Sequence, residues 1–86
     1  MELHTAGDLD DRTAALAAAV RRRRHELGLR QDELAELAGC STRFVHTVEH
    51  AKPGLRLDKL LDVLAVLGLG LSVRPGRGDV TSEPHR

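Results

Sequence analysis

Four polar side chains fall close together near the middle of the chain: Thr42, Arg43, His46 and Thr47. On a helix these positions share one outward face, near its N-terminus. Their short or forked side chains offer hydrogen-bond donors and acceptors, the equipment needed to read base edges in a DNA major groove. Arg43 can reach two acceptors of one guanine at once. The same four residues also suit an ordinary solvated face, and composition alone does not separate the two readings.

Other patterns suggest different chemistry. His46-Thr47-Val48-Glu49-His50 fits H-x-x-E-H, a zinc-protease signature. The chain has only 86 residues and no later glutamate except Glu83 in a loose tail, so a protease domain does not fit and no metal is expected. The single Cys40 excludes an internal disulfide, suits a reducing compartment, and reads better as a small apolar residue at a turn than as a redox sensor. Arg77-Gly78-Asp79 matches an adhesion tripeptide by chance. Arg21 to Arg24 form a run of four arginines whose side chains point in four directions on a helix, with one or two suited to phosphate.

Net charge is zero but segregated. Residues 1–11 carry four acids and no base, and residues 12–24 carry five arginines and no acid. One face can therefore be basic on a neutral protein. Phe44 is the only aromatic, which disfavours base stacking and hence single-stranded nucleic acid or RNA. No stretch approaches the roughly 20 apolar residues that cross a bilayer, and the start lacks the pattern of a signal peptide. A cytoplasmic protein without cofactor or enzymatic activity is expected.

The elements that must position these residues follow from periodicity. A first helix is expected from about Leu9 to Leu27, capped by Asp8, with Leu9, Thr13, Leu16, Val20 and Leu27 on one stripe. A second covers Gln31 to Ala38, with Leu34, Leu37 and Ala38 inward. Gly39-Cys40-Ser41 forms a short turn, and Ser41 caps a third helix whose inner stripe is Val45 and Val48. Lys52-Pro53-Gly54 breaks the chain before a fourth helix, Leu57 to Leu67, with Leu57, Leu60, Leu61, Leu64 and Leu67 as its core face. The period then switches to two: Leu67, Leu69, Leu71 and Val73 alternate with Gly68, Gly70, Ser72 and Arg74, a strand pattern. No second strand exists to pair with it, so its copy in a second subunit is the expected partner, laid over Val63 and Val66. The divisions are then an arm over 1–8, the helical domain over 9–67, a dimerisation strand over 68–74 and a disordered tail over 75–86.

Two charges occupy inward positions. Arg24 lies on the first helix's inner stripe and Glu49 beside the third helix's inner stripe. Burial is costly for an unpaired charge. Mutual pairing would brace the two helices; snorkelling of both to solvent is the alternative.

The run Leu27-Gly28-Leu29-Arg30-Gln31-Asp32-Glu33-Leu34-Ala35, then Ala38-Gly39-Cys40-Ser41, Val45 and Val48-Glu49, resembles the Xre/λ-repressor-like helix-turn-helix family over about residues 16–68. The resemblance implies an all-α bundle of four to five helices plus one short C-terminal β-strand pairing across a dimer. It also implies base contacts from Thr42, Arg43 and Thr47, phosphate contacts from Gln31 and Lys52, and an Arg24–Glu49 brace. Arg30 and Ser41 are further phosphate candidates, and Val63, Val66, Leu69, Leu71 and Val73 are the candidate dimer interface. Within the family the short chain, His50-Ala51-Lys52-Pro53 leading into Arg56-Leu57-Asp58, and the terminal alternating leucines are most similar to HipB-type antitoxins. That likeness implies a homodimeric repressor on a palindromic operator, autoregulating its operon and binding a HipA-like Ser/Thr kinase toxin. A free-standing regulator without a toxin is the alternative. Arg30 stands where the family has a Ser or Thr cap, and His50-Ala51 where it has a residue followed by Gly.

Overall fold

The computed structural model describes residues 6–83. The chain forms four helices: α1 (Ala6–Glu26), α2 (Gln31–Ala38), α3 (Thr42–Glu49) and α4 (Leu57–Leu67). Asp8, expected as a cap, lies inside α1. Most of the expected arm and the last three residues of the tail, 84–86, fall outside the described residues.

The core draws on all four helices. Val20 of α1, Leu34 and Ala35 of α2, Val45 and Val48 of α3, and Leu60, Val63, Leu64 and Leu67 of α4 are buried together. The α4 set follows i, i+3, i+4, i+7, one stripe of a helix. That register corrects the expected face. Leu57 and Leu61 lie beside the stripe and stay 60% and 45% exposed, whereas Val63 is wholly buried in the protomer's own core. Val63 therefore offers nothing to a partner, and Val66 is only half-buried. Leu27 and Leu37, expected inward, are exposed. Leu27 sits just past the end of α1, and Leu37 lies to the side of the Leu34–Ala35–Ala38 row.

Gly39 closes α2 in the left-handed conformation at φ 72°, which lets the Cys40 N–H fold back to the Ala35 carbonyl at 3.0 Å. This tight reversal sets α3 across α2. The turn after α3 is built differently. Ala51 has φ 54°, the only positive value at a non-glycine among the described residues, at the site where the resembling family carries glycine. Its carbonyl accepts a hydrogen bond from the Thr13 hydroxyl of α1 at 3.3 Å, which ties the loop down.

Residues 69–74 contain no strand, and Leu71 and Val73 are exposed. An isolated extended segment has no ladder to join, so the single chain cannot form the expected pairing. The following residues are ordered by a local turn. The Arg74 guanidinium reaches Asp79 at 2.8 Å and the Arg77 N–H donates to the same carboxylate at 3.0 Å. Those bonds hold the Asp79 carboxyl down at about 2.

A candidate DNA-reading interface

Ser41 holds an extended backbone at φ −84°, and its hydroxyl accepts the Phe44 N–H at 3.0 Å. A free donor at the start of α3 is thus satisfied, and the helix begins where the sequence places it. Buried Val45 and Val48 fix which side of α3 faces the core. The opposite side carries Thr42, Arg43 and His46, all exposed, and Thr47, half-buried. The structure brings these four onto one surface. Arg43 and Thr42 have no side-chain partner among the described residues. The Thr47 hydroxyl donates to the Arg43 carbonyl at 2.9 Å. The His46 and His50 rings stack at 3.8 Å between centroids.

Beneath this surface lies a buried polar network. Arg24 grips Glu49 with both arms: Nε donates to Oε2 at 2.6 Å and Nη2 to Oε1 at 2.9 Å. Arg24 Nη1 donates to the Leu29 carbonyl at 2.9 Å. Both residues are buried, so the snorkelling alternative is excluded. Burial pushes the Glu49 carboxyl up, but hydrogen bonds from Arg24 and Gln31 and the charges of Arg24 and Arg21 outweigh it and hold it below its usual range. The hydrogen bonds that Arg24 donates to Glu49, reinforced by the carboxylate's charge, raise Arg24 against the opposing desolvation.

Gln31, the expected phosphate ligand, belongs to this network. Its amide nitrogen donates to Glu49 Oε1 at 3.1 Å, so it is half-buried and held at the N-terminus of α2. Arg30 lacks an acceptor to cap that helix. The cap is rebuilt from Glu33, which accepts the Arg30 N–H at 2.8 Å, and from Asp32, which accepts the Glu33 N–H at 3.0 Å. Arg30 itself pairs with Asp32 at 3.1 Å on the surface. Lys52 is exposed just after α3.

The arginine run has a role that its sequence did not disclose. Arg21 donates to the Glu49 carbonyl at the end of α3. Arg23 donates to the Leu67 carbonyl at the end of α4, at 2.8 Å. With Arg24 committed to Glu49, only Arg22 of the four makes no such bond among the described residues. The cationic ends suit the negative ends of two helices, a pairing visible only once the helices are packed.

The H-x-x-E-H pattern is not assembled as a metal site. Its glutamate faces Arg24, and no cluster of three or more potential ligands occurs among the described residues. Burial raises the Cys40 thiol, with Asp62 adding to the rise and Lys59 opposing it, which keeps the thiol a poor nucleophile. No described helix is long and apolar enough to cross a membrane.

A family model described as a helix-turn-helix domain matches residues 15–75. An uncharacterized HTH-type transcriptional regulator of Sinorhizobium fredii, y4mF, is 43% identical over 60 residues, covering 70% of this chain and 79% of its own. A toxin-antitoxin module from Streptococcus pneumoniae is similar at 32% identity with a TM-score of 0.66, over 85% of this chain and 82% of that one. A chain of the HipA-HipB-O2-O3 complex shares the fold at 19% identity and a TM-score of 0.66, over 90% of this chain and 99% of its own.

Proposed function

Because the chain belongs to the helix-turn-helix domain family, we propose that it is a dimeric, sequence-specific repressor acting as the antitoxin of a toxin-antitoxin pair. The observation that carries the DNA part is the outward face of α3. Thr42, Arg43, His46 and Thr47 sit on a capped helix whose other side is locked into the core. Such a helix enters a major groove with its N-terminal residues at the base edges. In this reading Gln31 and Arg30 at the start of α2, Ser41 at the start of α3, and Lys52 after it hold phosphates on either side.

The dimer in this reading forms through residues 68–74, with Leu69, Leu71 and Val73 paired to their copies. Leu57 and Leu61, left exposed on α4, supply the apolar surface beneath, in place of Val63. A two-fold dimer presents its recognition helices about one DNA turn apart and prefers a palindromic operator. Likeness to the Streptococcus pneumoniae toxin-antitoxin module supports a role in such a pair. In this reading the protein is the antitoxin, autoregulates its operon and captures a HipA-like kinase toxin. The relation to y4mF favours the second reading, a free-standing transcriptional regulator. In both the chain binds rather than catalyses.

Two measurements test this. Selection from a random duplex pool should enrich a palindrome; equal retention of all sequences would refute the DNA reading. Co-expression with the product of an adjacent kinase-like gene should yield a stable complex. Specific DNA binding without such a complex would leave the free-standing regulator.

A further inference from the structure

The four outward residues of α3 are not equivalent. Thr42 and Arg43 keep every side-chain donor free among the described residues. Thr47 does not: its hydroxyl donates to the Arg43 carbonyl oxygen at 2.9 Å, one turn back along its own helix. A threonine hydroxyl has one proton. With that proton turned into the helix, Thr47 has no donor to give a base. What it retains is its methyl group and an oxygen partly screened against the backbone, in keeping with its half-buried state beside exposed neighbours. The bond also fixes χ1, so the methyl is presented in one orientation without further ordering on contact.

In the major groove the 5-methyl group of thymine is the one apolar feature that distinguishes a base, and a threonine methyl is a fitting partner for it. We propose that Thr47 specifies thymine by methyl–methyl contact, while Arg43 and Thr42 read neighbouring bases through hydrogen bonds. This rests on the DNA reading above. It adds a division of labour along the helix and names one base and one chemical group on it. The competing use of Thr47, in which its oxygen accepts an amino proton from adenine or cytosine, makes the opposite forecast for each variant below.

The probe is the duplex that the full-length protein enriches from a random-sequence pool. Each thymine is replaced singly by deoxyuridine, which removes only the methyl group, and binding is measured by titration. One thymine per half-site should lose roughly three- to four-fold in affinity, the fold-change expected for one buried methyl group. Thr47→Val keeps the branch and the methyl and lacks the oxygen; it should retain both affinity and sensitivity to deoxyuridine. Thr47→Ser keeps the hydroxyl and lacks the methyl; it should bind thymine and deoxyuridine duplexes alike at that position. Circular dichroism on each variant establishes that the helices are intact. Insensitivity of the wild-type protein to every deoxyuridine would overturn the proposal. So would loss of affinity in Thr47→Val with its retention in Thr47→Ser, the signature of the acceptor role, in which the oxygen and not the methyl makes the contact. Failure to enrich any duplex would overturn the DNA reading itself and this assignment with it.

Discussion

The Gln31 amide nitrogen lies 3.1 Å from Glu49 Oε1, the same oxygen that receives Arg24 Nη2 at 2.9 Å. One buried carboxylate therefore joins the inner stripe of α1, the first residue of α2 and the last residue of α3. The two helices of the proposed DNA-reading surface are tied to each other and to the scaffold at a single group. Replacing Glu49 by Ala would strand the Arg24 charge in the core, a loss of about 3–5 kcal/mol. That is a large share of the stability of a small domain. Urea denaturation should show it as a strongly lowered midpoint, and an unchanged midpoint would refute the brace.

The same group sets an acid limit. Its folded pKa lies below the value the same carboxyl has in the unfolded chain. A lowered carboxyl stabilises the fold fully above the unfolded pKa, and the contribution fades as pH falls through the folded one. Stability should thus be flat from neutrality to about pH 5 and fall below about pH 4. Asp32, Asp58 and Asp79 are also lowered, by hydrogen bonds from Arg30, Arg56 and Arg74 first. They are exposed, and wild type and Glu49→Gln share them. The Glu49→Gln variant starts lower and should decline less steeply in acid; parallel urea midpoints from pH 3 to 7 would contradict the assignment.

Ala51 is held at φ 54°. The left-handed conformation costs a residue with a Cβ about 1–2 kcal/mol, and glycine avoids it at an entropic cost of about 0.4–1 kcal/mol in the unfolded chain. Ala51→Gly should therefore raise stability by about 0.5–1 kcal/mol, a gain of several degrees in Tm for a domain this size. A lowered Tm would mean that the loop, with its Thr13 tie, tolerates Ala51 without strain.

Contacts to phosphate and to bases should separate in solution. Lys52→Ala should weaken binding to all duplexes alike and reduce the salt slope by about one. Arg43→Ala should cost about 1–3 kcal/mol on the selected duplex and relax preference at one position per half-site. A Lys52→Ala loss confined to one sequence would reverse its role.

Truncation after Gly68 removes the alternating apolar segment and should give a monomer with poor operator affinity. Leu57→Asp combined with Leu61→Asp should weaken the dimer while leaving the protomer folded, since both side chains are exposed. Val63→Asp should instead unfold the protomer, since Val63 is in its core. Light scattering that still shows a tight dimer for the truncation would place the interface elsewhere.

Much of this was legible in the sequence because it depends on local rules. Gly39, Ser41 and the 3.6-residue periods place α2, α3 and α4 within a residue of their observed ends. Two charges on inward stripes were enough to forecast the Arg24–Glu49 pair. Failures arose where the answer depends on how helices pack. In α4, Leu57, Leu61, Val63 and Val66 are all apolar, so hydrophobicity cannot say which side meets α1 and α2. The commitment of Arg21 and Arg23 to distant carbonyls, and of Gln31 to Glu49, has no counterpart in spacing. The tail's turn depends on Arg74 and Asp79 meeting across five residues, which composition alone does not reveal.

The placement of Arg21, Arg23 and Arg24 also bears on how the protein meets a protease. Four consecutive arginines are the densest trypsin target in the sequence, yet they lie in a continuous helix with three of the four side chains tied to other segments. A protease must draw out an extended stretch of backbone, which here requires breaking α1 and releasing the ends of α3 and α4 together. Cleavage should start after Arg77, in the exposed C-terminal segment, since the bond after Arg74 is closed to trypsin by Pro75, and reach the arginine run only through global opening. The rate of cutting within that run then serves as a built-in clock for unfolding, slowed when a DNA duplex or a partner protein holds the folded state.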